Sequence, residues 1–165
     1  MAHPRAVVVV AVLAAASVAG WWLGDQRRTA NPHGRVVEAI DGDTIVVAFG
    51  DGHTDTVRIL GVNTPETHHP TKPVECFGPE AAAYTARRLT GQVVTLESDV
   101  EQRDIYGRRL AYVVLSDGNR FDDELLRRGY ARLLVIDPNR AHARELLAAE
   151  LDAQRNRRGL WSACG

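Results

Sequence analysis

Lysine is nearly missing from this sequence: Lys72 is the only one, and arginine supplies the rest of the 20 basic residues. We read that bias mainly as composition. With 21 acidic residues the net charge is −1. Such a chain has no overall field to attract a polyanion, so any affinity for one must come from local arginines. Cysteine is scarce too. Cys76 and Cys164 lie too far apart to make a metal site by themselves, and one pair allows one intramolecular bridge. There is no glycine-rich phosphate loop, no nucleophile elbow and no H-E-x-x-H motif. Their absence removes the motif evidence for P-loop, serine-hydrolase and zincin chemistry. No internal repeat is present.

What the chain does have begins at its N-terminus. Arg5 is followed by no charge from residue 6 to residue 24. That run suits a signal peptide cleaved before Gly20, or an uncleaved membrane anchor with Trp21 and Trp22 at the interface. Either way the following domain lies outside the cytoplasm, secreted or anchored to the outer membrane face. The division expected is a leader or anchor over residues 1–23, a polar linker over 24–34 and one folded domain over 35–165. The length suffices for one domain with its own core. An oxidising compartment suits a Cys76–Cys164 bridge, worth about 4–5 kcal/mol on the chain-entropy model as an upper figure. Two free thiols remain the alternative.

Period-two apolar patterning predicts strands over residues 35–40, 44–49, 54–60, 92–98 and 109–116. Asp41-Gly42 is a hairpin-turn signal. Gly78-Pro79-Glu80 opens a helix that runs to about Leu89, with Ala82, Ala83, Ala86 and Leu89 expected on its core face. A short helix is expected over 122–128, stopped by Gly129. A last one is expected over 140–157, capped by Asn139, with Ala143, Leu146, Leu147 and Leu151 facing inward. The fold class expected is α+β, mainly a β-barrel: a five-stranded OB-fold barrel with about three flanking helices, preceded by the N-terminal hydrophobic helix.

Chemistry concentrates between Asp41 and Glu66. Asp41, Asp43 and Glu66 stand at turns or strand ends of one meander. Hard oxygen donors at such places suit Ca²⁺, with Asn63 offering an amide oxygen and Thr64 a backbone carbonyl. The bland alternative is that Asp-Gly simply makes a good turn and Thr64-Pro65-Glu66 a false helix start. Arg58 interrupts an apolar strand, where an arginine ordinarily faces water. Arg108 follows Tyr106-Gly107. Two arginines beside such a cation would grip a phosphate, since guanidinium forks match its oxygens. His68 and His69 have no partners at ligand spacing and read as solvated loop residues. Tyr106 and Tyr130 are candidates for base stacking, whereas Tyr112 reads as core.

The motifs A-I-D-G-D-T (39–44), V-R-I-L (57–60), T-P-E-T (64–67), F-G-P-E-A (77–81), D-I-Y-G-R-R-L-A-Y (104–112), R-R-G-Y-A (127–131) and G-L-W (159–161) follow one another in order. As a set, over residues 36–161, they resemble the thermonuclease family, that of staphylococcal nuclease. The resemblance implies an OB-fold, Ca²⁺-dependent phosphodiesterase acting on DNA and RNA, an endonuclease leaving 3′-phosphate ends. It also implies Asp43, Asn63 and Thr64 as metal ligands and Asp41 as their support. Glu66 becomes the residue handling the attacking water, and Arg58 and Arg108 the phosphate grips. The chain departs from the pattern at Asn63, where the family has Asp, and at Ile105, where it has Lys. Val135 and Asp137 stand in place of tyrosines around the nucleotide. The rival expectation is a non-catalytic OB-fold module that binds nucleic acid or protein. A monomer is expected, touching the membrane only through its N-terminal segment.

Overall fold

The computed structural model describes residues 31–67 and 73–164. The expected leader or anchor, most of the linker, Lys72 and the His68-His69 pair lie outside them. The described residues fall within one unit, Asn31–Gly165. Its elements are β1 (His33–Asp41), β2 (Thr44–Ala48), β3 (Thr54–Ile59), β4 (Gly61–Asn63), α1 (Gly78–Leu89), β5 (Val93–Glu97), β6 (Arg109–Val114), α2 (Phe121–Arg128), β7 (Arg132–Leu134), α3 (Ala143–Arg155) and the short α4 (Leu160–Ala163). β1 starts within the expected linker, because His33 and Gly34 pair with Thr95 and Val94.

Five strands close a barrel in the order β1-β2-β3-β6-β5. The α+β barrel with flanking helices is therefore as the patterning predicts. Alternate residues point inward: Ile45 and Val47, Val57 and Ile59, Val94 and Leu96, Leu110 and Tyr112 are all buried. Each such side chain contributes roughly 1.5–3 kcal/mol of burial. Every barrel pairing is antiparallel except β3 with β6, which is parallel and sets Arg58 opposite Leu110. A second, two-stranded sheet joins β4 to β7.

The helices differ from expectation in which face they bury. α1 turns Ala81, Thr85 and Leu89 inward, and Ala83 stays exposed. Four-residue spacing puts those three on one stripe, and alanine periodicity alone does not reveal it. α3 buries Leu146, Ala149 and Ala153, leaving Leu147 and Leu151 exposed. It begins at Ala143 rather than Arg140, and Asn139 is not its cap. The Asn139 amide instead binds the backbone of Glu101 on both sides, accepting from its N–H at 2.8 Å and donating to its carbonyl at 3.0 Å.

Gly129 ends α2 in the left-handed region, at φ 72°. A Cβ there would lie 2.2 Å from the Arg158 carbonyl oxygen, and one at Gly159 would lie 2.2 Å from that of Gly129. Two glycines in contact let the C-terminal turn dock on α2, with Leu160 N–H donating to the Gly129 carbonyl at 2.9 Å. The docked turn carries Cys164 to Cys76, and the two form a disulfide. Among the described residues no helix is long and apolar enough to cross a membrane.

Candidate active site

The hairpin turn between β1 and β2 carries Asp41 and Asp43, both buried. Gly42 between them is required by close approach, since a Cβ would fall 2.7 Å from the Thr64 side chain. Thr64 in turn donates its backbone N–H to Asp43 Oδ2 at 2.9 Å. The turn and the segment after β4 are thereby locked together. Asp41 accepts from the Gly42 N–H at 2.8 Å and from the Thr67 hydroxyl at 3.1 Å. It thus ties the turn to the residue just beyond Glu66, as a supporting group would.

Arg58 does not face water. Its side chain is buried and its guanidinium lies 3.2 Å from Asp43 Oδ2. Nη1 donates to the carbonyls of Ile59 at 2.6 Å and Val62 at 2.8 Å, and Nη2 to Asn63 Oδ1 at 3.3 Å. Burial pushes its pKa down, Asp43 opposes that, and repulsion from Arg108 adds to it. The two guanidiniums line the same depression. Parallel pairing of β3 with β6 produces this: with Val57 opposite Arg109 and Arg58 opposite Leu110, Arg108, just before β6, falls on the same face as Arg58, one step along the sheet.

Arg108 is held by Asp104, which receives its Nε at 2.7 Å and its backbone N–H at 2.9 Å. The turn between them needs Gly107 at φ 82°. Burial acts to raise the Asp104 pKa, but hydrogen bonds from Arg108 prevail and hold it low. The Arg108 guanidinium also lies 5.5 Å from the centre of the exposed Tyr106 ring.

Glu66 is fixed through its backbone. Its N–H donates to Glu75 Oε2 at 3.2 Å and its carbonyl accepts from Glu75 N–H at 2.9 Å. Its carboxyl is pushed above the usual range, first by burial and then by the neighbouring Asp41 and Asp43. A carboxyl that holds a proton more readily is suited to receiving one from water.

Asp41, Asp43, Arg58, Asn63, Glu66 and Arg108 all line one depression of about 560 Å³. Thr64 stands behind it with its side chain buried. One wall is aliphatic, formed by Ile40, Leu134 and Ile136. Val135 and Asp137, the positions that the sequence singles out, are not in that wall. Tyr112 is core and Tyr130 packs against other rings, so neither reaches this space. A larger depression, about 740 Å³, lies elsewhere, between α2 and the turn at residues 118–120.

Hard oxygens are the donors available to a cation: the Asp43 and Asp41 carboxylates, the Asn63 amide oxygen and the Thr64 carbonyl. Their chemistry fits Ca²⁺ or a similar hard ion. Among the described residues no three His, Cys, Asp or Glu side chains gather as a cage. Asp43 is instead paired with Arg58, and a cation there competes with that pair.

Sequence reasoning misses Asp104, Glu75, Thr85 and the aliphatic wall. Asp104 alone has a signal, its four-residue spacing from Arg108. Thr85 looks like an ordinary helix position, yet its hydroxyl reaches the turn that carries both aspartates.

A family model described as staphylococcal nuclease homologue matches residues 56–163. Thermonuclease of Staphylococcus hyicus is 41% identical over 128 residues, covering 78% of this chain and 75% of that protein. Thermonuclease of Staphylococcus intermedius is 41% identical over 126 residues, covering 76% and 74%. Endonuclease YncB of Bacillus subtilis is 39% identical over 129 residues, covering 77% and 60%.

Proposed function

Because this chain belongs to the staphylococcal nuclease homologue family, we propose that it is a hydrolase, a nuclease cleaving phosphodiester bonds in DNA and RNA. The observation that carries this reading is the convergence of Arg58, Arg108 and Glu66 on one pocket backed by Asp43. Two guanidiniums and a carboxyl of raised pKa are the groups needed to bind a phosphodiester and deprotonate water beside it.

Arg58 and Arg108 donate to the equatorial phosphoryl oxygens, where negative charge grows in the transition state. Arg58 is pre-oriented by the Ile59 and Val62 carbonyls. Arg108 is pre-oriented by Asp104. Glu66 takes or directs the proton of the attacking water at a carboxylate oxygen. The water oxygen bonds to phosphorus as the bond to the 5′-oxygen breaks, the leaving oxygen takes up a proton from solvent, and the products are a 3′-phosphate and a 5′-hydroxyl. Asp43, the Asn63 amide oxygen and the Thr64 carbonyl would hold Ca²⁺, which when bound supplies Lewis-acid polarisation of a phosphoryl oxygen. Asp41 supports that ligand set through Gly42 and Thr67.

The enzyme acts outside the cytoplasm, released or held at the membrane by its N-terminal segment. The Cys76–Cys164 disulfide supports that placement. All the groups named come from one chain, so a monomer suffices. Incubating the full chain with plasmid and with RNA, with Ca²⁺ or with a chelator, tests the activity. Calcium-dependent degradation of both is expected, and its absence at every pH from about 6 to 10 would overturn the reading. Asn63 favours the rival, a binding module without catalysis, since it removes a charge from the ligand set. Nucleic-acid binding with no turnover in the same assay would establish that rival. N-terminal sequencing of exported protein tells a cleaved leader from an anchor.

A further inference from the structure

The larger depression, outside the active site, is lined by Arg120, Arg127, Arg128 and Arg158 together with Asp123 and Glu124. Its charges are layered. The Arg127 and Arg128 side chains are 52% and 59% exposed, whereas Asp123 and Glu124 beneath them are 22% and 19% exposed. Glu124 also serves more than one cation. Its Oε1 faces Nε of Arg88 at 3.3 Å and Nε of Arg128 at 3.5 Å, and accepts from the Tyr84 hydroxyl. One carboxylate therefore answers two guanidiniums at this end of the groove, while Arg158 is paired with Asp152 and Arg120 with Glu145. Arg127 and Arg128 make these contacts through Nε. Among the described residues their Nη groups make no hydrogen bond, so each fork is open toward solvent. An open guanidinium fork is the donor geometry that a phosphodiester takes.

Aromatic contacts connect this groove to the active site. Phe121, Tyr84, Tyr130 and Phe77 form a column, with centroid distances of 6.2, 4.2 and 5.5 Å. The Arg128 guanidinium lies 5.6 Å above Tyr84 at the groove. At the other end Phe77 precedes Gly78, where a Cβ would fall 2.9 Å from the Glu66 carbonyl oxygen. A smaller depression of about 300 Å³ opens beside Phe77, Arg87 and Tyr130. These rings stack on one another and Phe121 is fully buried, so the column fixes α2, and with it Arg128, against α1.

We propose that this groove is a second phosphate-binding site, in which Arg127 and Arg128 hold the backbone of the substrate strand beyond the cleaved bond. The inference rests on the nuclease reading for its ligand, a single-stranded nucleic acid. It assigns affinity for long strands to α2, and leaves chemistry to the pocket.

Binding tests it apart from cleavage. The full chain is titrated in excess chelator with labelled single-stranded DNA 30-mer and 4-mer, across a range of salt. In Arg127→Gln/Arg128→Gln the 30-mer should bind about tenfold more weakly at 0.1 M salt. The log–log salt slope should flatten by about 1.4, the counterion release of two single-strand phosphates. The 4-mer should be unaffected. Arg35→Gln/Arg144→Gln makes the same charge change on other exposed surfaces and should have a smaller effect. Asp123→Asn unmasks Arg127 and should bind the 30-mer more tightly, a gain that misfolding cannot mimic. Equal effects from the two double variants, or no effect from the first, would overturn the groove. A wild-type chain with this binding pattern but no turnover would overturn the activity reading and leave the groove standing.

Discussion

The Thr85 hydroxyl donates a 2.6 Å hydrogen bond to the carbonyl oxygen of Gly42. Thr85 is a fully buried polar residue on α1, and Gly42 lies between the two aspartates of the candidate site. A helix outside the barrel thus holds the turn on which Asp41 and Asp43 stand.

Thr85→Val should leave the Gly42 carbonyl without that partner while keeping the shape. Stability should fall by about 1–2 kcal/mol, the cost of an unsatisfied buried acceptor, read by denaturant unfolding. Nuclease kcat/KM should fall about tenfold at temperatures where the variant is fully folded, because the aspartate turn loses its anchor. Thr85→Ser should restore both. Unchanged kcat/KM would reduce Thr85 to a packing residue.

Asn63→Asp restores a negative charge beside Arg58 Nη2, which lies 3.3 Å from the present amide oxygen. Calcium affinity depends on the number of charged ligands. The half-saturating Ca²⁺ concentration for cleavage should therefore drop, by about tenfold. No change in that concentration would remove Asn63 from the ligand set.

The disulfide closes a loop of 88 residues. Cys76→Ser/Cys164→Ser should lose up to about 4–5 kcal/mol of unfolding free energy on the chain-entropy model. Reductant should destabilise the wild type to a similar extent and leave the variant unchanged. Glu75, next to Cys76, hydrogen-bonds the Glu66 backbone. Turnover should accordingly fall along with stability.

Asp122 is completely buried on α2, 3.3 Å from Arg120. Neither of its oxygens has a hydrogen-bond partner of normal geometry. Burial raises its pKa to about 6, and Arg120 and nearby amides offset that only in part. A folded-state pKa above the unfolded value favours folding fully below about pH 4, and the contribution is lost as pH rises through 6. At pH 7 the ionised group should cost on the order of 3 kcal/mol. Asp122→Asn should thus be more stable than wild type at pH 7–8, and the gap should close below about pH 4. Equal stability at pH 8 would mean that the Arg120 pair compensates for the burial.

Much of the site is legible in the linear chain because its elements are local. Asp41-Gly42-Asp43 announces a turn, and Thr64-Pro65-Glu66 the end of a strand. The fate of Arg58 is not legible, since a strand arginine is exposed by default. It is buried here because Asp43 on the neighbouring turn faces it, and because the chain just after β3 brings the Ile59 and Val62 carbonyls and the Asn63 amide onto its guanidinium. The aliphatic wall is hidden for a related reason. Which side chains of 134–137 face the pocket depends on how β7 pairs with β4, and a shift of one residue reverses the faces.

The sequence by itself determined the barrel strands, the hairpin turn, the extent of α1 and α2 and the residue types of the site. Period-two burial, turn stereochemistry and helix termini are each written within a few neighbouring residues. Only the tertiary structure decided that Arg58 and Arg108 meet and that Thr85 anchors the aspartate turn. Those relations join segments that are distant along the chain. They depend on the parallel closure of β3 against β6 and on the packing of helices around the barrel, and local periodicity specifies neither.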